Sequence, residues 1–160
     1  QGVPMLYTCP YGRLGAVRKG IKPAELVKLD GLCLRCLKET DPDLHFFDLG
    51  RTFYLVYGGL LEETLKSPCA REVLLSLGYG KDLEVCLAAL RERFAAGCPP
   101  EIGFFLGYPV KDVLGFMGIP GFTFAKTCGW KMYDPVETSE VVYRRYTKAK
   151  WKALLPKCRV

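Results

Sequence analysis

From Cys98 to Asp134 the chain reads CPPEIGFFLGYPVKDVLGFMGIPGFTFAKTCGWKMYD, and proline and glycine recur so closely that only short elements fit between them. Proline removes a backbone donor and glycine permits turns that other residues resist, so each marks a boundary. Pro99 and Pro100 restart the chain. Glu101 to Leu106 is too short for periodicity to separate strand from helix; the Pro-Pro-Glu start, with a carboxylate near the positive end of the helix dipole, favours a helix. Pro109 opens another short helix that Gly118 closes, and Phe122 to Lys126 and Trp130 to Tyr133 read as strands joined through Thr127, Cys128 and Gly129.

The rest of the chain divides by the same signals. Residues 1–20 contain Pro4, Pro10, Gly12, Gly15 and Gly20 and are expected to be irregular. Pro23 suits the first turn of a helix to about Lys38, with Leu26, Leu29, Cys33, Cys36 and Leu37 on one face and Asp41-Pro42 as its end. His45 to Asp48 and Thr52 to Tyr57 read as a β-hairpin turning at Gly50. Leu60 to Lys66, Pro68 to Leu77 and a helix capped by Asp82 follow, the last with Leu83, Cys86, Leu87, Leu90 and Phe94 as its buried stripe. Asp134, Pro135 and Glu137 have the spacing of a capping box and start a long helix to about Leu155. The expected fold is α+β: one domain over residues 1–160, with six or seven helices packed on a small, mainly antiparallel sheet.

With 160 residues, 49% of them hydrophobic, such a chain builds a core without covalent staples. Its uninterrupted apolar runs are far below the ~20 residues that cross a bilayer, and the start lacks a basic region leading into an apolar stretch. A cytoplasmic protein with no membrane partner is therefore expected. The eight cysteines are scattered except for Cys33 and Cys36, which reads as reduced thiols rather than a disulfide framework. The formal charge of +6 concentrates at the C-terminus, where Arg144, Arg145, Lys148, Lys150, Lys152, Lys157 and Arg159 follow one another without an acidic residue.

Four sets of residues are candidates for chemistry or binding. Glu101, Asp112 and Lys131, with Tyr108, Trp130 and Tyr133 as pocket walls, suffice for proton transfer if burial moves one carboxyl toward neutrality. The plainer reading is that the acids support helix ends and the aromatics fill core. Cys33 and Cys36 form a C-x-x-C, but mid-helix on an apolar stripe it reads as core; a thiolate site for iron or zinc would have to draw in Cys98 and Cys128, and no cofactor is expected. His45, the only histidine, is read as structural, and its being alone excludes a histidine triad. On the C-terminal helix, Val142, Tyr146, Ala149 and Ala153 share a packing face, while Arg144, Lys148, Trp151 and Lys152 share the other. That basic face is a solvated surface, a dock for an acidic protein such as flavodoxin, or a nucleic-acid contact, in that order.

Glu101, Ile102, Gly103, Phe105, Leu106, Gly107, Tyr108, Pro109, Asp112, Val113, Gly115 and Phe116, followed by Trp130, Lys131, Tyr133 and Asp134, resemble the pattern of domain-of-unknown-function family 3793, associated with anaerobes such as clostridia. Gly20, Ile21, Lys22, Pro23, Ala24 and Leu26 echo a second motif of that family. Where the family carries a histidine before the glutamate this chain has Pro100, and the family's His-Cys pair falls on Arg13 and Leu14, so an activity using those histidines does not transfer. The resemblance implies an accessory or binding protein linked to redox or iron metabolism. A small-molecule enzyme and a nucleic-acid binder are the alternatives.

Overall fold

The fold is that of a computed structural model in which residues 10–157 are described, the side chains of 151–157 excepted. Among the described residues there are eight α-helices and two small antiparallel sheets, an α+β arrangement with two sheets where one was expected. A 3-10 segment, Pro10–Leu14, leads into helix α1, Gly15–Arg18, so half of the N-terminal stretch expected to be irregular is helical. Burial explains this: Tyr11, Leu14, Ala16 and Val17 all point inward.

The first sheet holds β1, Ala24–Lys28, β2, His45–Gly50, and β3, Phe53–Tyr57, in the order β1-β3-β2. The hairpin of β2 and β3 turns at Gly50, whose φ of 93° only glycine adopts readily, and a bulge follows Asp48. β1 corrects the expected Pro23 helix. Ala24 pairs with Tyr57 and Lys28 with Phe53, a long-range ladder that outweighs the local preference of Pro23 for a first helical turn. The helix begins only at Gly31, as α2, Gly31–Thr40, with Asp30 as N-cap accepting the Cys33 N–H at 2.8 Å.

Alternation along the strands divides the interior. Leu55 and Ala24 face the largest cluster, with Leu61 of α3, Leu60–Leu65, Leu74 of α4, Pro68–Ser76, and Leu87, Leu90 and Phe94 of α5, Leu83–Phe94. Val27 and Val56 face the other way, against Tyr11, Leu14 and Leu37. Full burial of a side chain such as Leu55 or Phe94 contributes roughly 2 kcal/mol. A third cluster, Ala16, Trp130, Met132, Tyr146 and Ala149, fixes the C-terminal part.

That part contains α6, Ile102–Phe105, α7, Val110–Phe116, the hairpin of β4, Phe124–Cys128, and β5, Trp130–Tyr133, and α8, Val136–Lys157. The capping box expected at Asp134 does not start α8. The Asp134 N–H donates to the Thr123 carbonyl at 2.9 Å, which ties that residue to the hairpin, and the helix begins at Val136. Along α8, Tyr146 and Ala149 are buried and Val142 half-buried, the face expected to pack.

Candidate functional site

The turn at Tyr108 and strand β5 meet. The rings of Tyr108 and Trp130 stack with centroids 4.4 Å apart and planes 18° from parallel, and Tyr143 of α8 meets Trp130 edge-on at 5.8 Å. Two glycines allow the approach. A Cβ on Gly103 would lie 2.8 Å from Val113, separating α6 from α7; Gly107, at φ 79°, would drive one to 2.5 Å from Pro23 and 2.7 Å from the Tyr146 hydroxyl. That hydroxyl donates to the Gly107 carbonyl at 2.6 Å and pins the turn to α8.

Between these elements lies a cleft of about 340 Å³. Cys98, Pro99 and Pro100 form one lip, Ile102, Gly103 and Val113 the floor, and Tyr108, Trp130, Thr127 and Phe116 the walls. Lys131 stands exposed at the rim, its ammonium 5.6 Å from the Phe116 ring centre and 6.0 Å from that of Phe124. Asp112 is the only carboxylate among the lining residues.

Asp112 is buried and fully engaged. Its Oδ1 accepts from Lys111 Nζ at 2.8 Å and from the Tyr133 N–H at 2.7 Å; its Oδ2 accepts from Trp130 Nε1 at 2.9 Å and from Ser139 Oγ at 2.6 Å. A carboxylate offers about four acceptor positions, and all are taken. Burial opposes its charge, but these donors together outweigh burial and hold the carboxyl below the usual aspartate range. Lys111 also donates to the Tyr133 carbonyl and to Ser139, so one node joins α7, β5 and α8.

Residues 13–156 match the family model described as Protein of unknown function (DUF3793). The chain belongs to that family. No curated protein and no solved structure matches it. The matched residues of DUF3793 include the cleft and the node beneath it.

The remaining candidates of this DUF3793 chain divide. Glu101 is buried but lines no part of the cleft; it accepts from the Tyr79 hydroxyl at 2.8 Å and pairs with Arg93, which joins α5 to α6. Burial and then the neighbouring Glu101 push the Tyr79 hydroxyl up. Glu101 and Asp112 share no hydrogen-bonding partner, so the two acids do not work as a pair. The Tyr133 ring packs against Gly115 and Phe124 and is not among the cleft-lining residues.

The cysteines correct the sequence reading. Cys33 and Cys36 lie in the first two turns of α2 rather than mid-helix; Cys33 is half-buried against the cluster of Val27, Leu37 and Val56, as a core reading expects, whereas Cys36 is exposed. Cys98 is on the cleft lip and Cys128 in the hairpin. Among the described residues, no group of three or more His, Cys, Asp or Glu side chains is placed to hold a metal ion. His45 stacks on Tyr57 at 4.9 Å on the first sheet. Arg144 and Lys148 are exposed on α8, while the side chains of Trp151 and Lys152, like Cys9, lie outside the described residues.

Sequence reasoning missed Lys22 and Glu25. Both are buried, paired to each other, and Glu25 also meets Arg13 at 3.3 Å and Lys150 at 3.5 Å. The Lys22 ammonium lies 5.7 Å from the Tyr108 ring centre and 5.4 Å from that of Tyr146, directly behind the cleft wall. Burial pulls the Lys22 pKa down despite Glu25. Burial also opposes the charge of Glu25, yet Lys22, Lys150 and Arg13 outweigh it and hold that carboxyl low. The one signal in the sequence was the family echo around Gly20 to Leu26.

Proposed function

We propose that this chain is a ligand-binding protein whose site is the cleft between Tyr108, Trp130 and the Cys98 lip, and that it takes a small, flat, mainly apolar molecule carrying an acidic group. The observation that carries this reading is the contrast between the apolar walls and the fully occupied Asp112. An aromatic ligand finds ring faces to stack on, and Lys131 offers a cation at the mouth. Burying about 200 Å² of apolar ligand surface supplies roughly 5 kcal/mol before the costs of association. The enzyme alternative is weaker because it needs a free acid or base: Glu101 faces elsewhere, and Asp112 has no open acceptor position and a lowered pKa.

An accessory role in the redox or iron metabolism of anaerobes, in the cytoplasm, is the wider setting we propose on the family resemblance. Elemental analysis and an absorbance spectrum of anaerobically purified protein test it: stoichiometric iron or a bound chromophore supports that setting, and a colourless, metal-free preparation counts against it.

The cleft is tested by titrating the protein with a set of aromatic and aliphatic carboxylic acids, read by thermal shift and tryptophan fluorescence. Thr127 is exposed on β4, so Thr127→Trp fills the cleft without disturbing the core. Saturable binding that Thr127→Trp abolishes, with its melting temperature unchanged, is expected; undiminished binding in that variant contradicts the site.

A further inference from the structure

A second groove, of about 320 Å³, lies away from the cleft, between the end of α1 and helix α8. It is lined by Lys19, Ile21, Arg145, Lys148 and Ala149. Arg145 and Lys148 are one turn apart on α8 and so share a side, while Lys19, at the C-cap of α1, faces them from the other wall. All three cations are exposed, and among the described residues none makes an ion pair.

The carboxylates of this part of the fold are already engaged. Asp41 pairs with Arg18 at 2.7 Å, and Glu25 alone faces Arg13, Lys22 and Lys150. The groove therefore sits in a region with more cations than anions, and a local excess of one sign attracts the other.

We propose that this groove is a binding site for a phosphate monoester. Such a group carries a charge of about −1.5 to −2 at neutral pH and three strong acceptor oxygens, which suits three cations lining one groove; a single carboxylate would leave most of that charge unopposed. Arg145 supplies the planar fork that takes two phosphate oxygens, and the lysines supply point charges. The three cations line a single groove, contributed by α1 and α8, rather than a long stripe, which favours a terminal phosphate over a nucleic-acid backbone. Half-buried Ile21 and buried Ala149 give an apolar floor for the organic part of the ester. This site is independent of the cleft reading.

The test is an NMR titration of isotope-labelled protein at low salt with inorganic phosphate, a nucleoside monophosphate, a sugar phosphate, acetate, a single-stranded oligonucleotide and polyglutamate. Saturable shifts confined to Lys19–Ile21 and the Arg145–Ala149 turn are expected with the phosphates and not with acetate. An ester that binds more tightly than inorganic phosphate identifies the floor as part of the site, and one that binds no more tightly limits the site to the phosphate group itself. The double variant Arg145→Gln/Lys148→Gln should weaken phosphate binding by about tenfold or more with the melting temperature unchanged. Lys19→Gln, on the opposite wall, should weaken it as well. Absence of saturable phosphate binding, equal binding by the double variant, or tighter binding of the oligonucleotide or polyglutamate through these residues would overturn the proposal.

Discussion

Asp112 and Glu25 are both buried carboxylates held in their charged form, yet they are held differently. Asp112 is saturated by directed hydrogen bonds, of which a single donor is a cation. Glu25 is held by three cations. The first arrangement fixes geometry: it sets β5 against α7 and α8 and so shapes the cleft wall. The second balances charge incompletely and leaves the middle of α8, where it meets α1, electropositive at the groove of Lys19, Arg145 and Lys148. One family-like motif region thus contains a rigid apolar site, and a separate region contains a charged one.

Substitutions sharpen this comparison. The largest loss is expected for Glu25→Gln, which strands the buried Lys22 among cations and should cost about 4 kcal/mol in chemical unfolding near neutral pH. Lys22 has a lowered pKa, so the variant relieves its strain by releasing that proton: between the folded Lys22 value and the ordinary 10.5 its stability should rise with pH. A cost that does not shrink on raising the pH would mean that Lys22 is not the group left unpaired.

Asp112→Asn should cost about 3 kcal/mol, because its amide NH2 has to face either the Trp130 and Ser139 donors or the Lys111 and Tyr133 donors, and the charge paired with Lys111 is lost. Its pH signature is opposite. The native Asp112 pKa lies below the unfolded value, so the stability it contributes is complete above about pH 4 and is lost as pH falls through the lower native value. The gap between wild type and Asp112→Asn should therefore narrow in acid, as acid-dependent unfolding curves would reveal. The smallest effect is expected for Ser139→Ala, about 1 kcal/mol, since three donors remain on Asp112. A loss as large as that of Asp112→Asn would make Ser139, not Asp112, the centre of the node.

Much of the fold was legible in the sequence because proline and glycine delimit α3, α4, α5, α7 and the two hairpins. β1 was not: five residues after Lys22-Pro23 carry a helix-start signal, and only pairing with β3, some thirty positions away, reveals the strand. The convergence of Tyr108, Asp112 and Trp130 was anticipated from the motif, but nothing local told that Asp112 would be saturated or that Glu101 would turn toward Tyr79 and Arg93. Those outcomes depend on partners from α5, β5 and α8. Nothing in the local pattern marks Lys22 and Glu25 as buried, and their burial is a property of the assembled fold.

An NMR titration of the Asp112 side-chain carboxyl carbon in the intact protein tests the separation of structural acid from binding cleft most directly. A midpoint below the ordinary aspartate value of about 3.9 is predicted; a midpoint between about 5 and 7 would make Asp112 a proton donor or acceptor at the cleft and return the site to the enzyme reading.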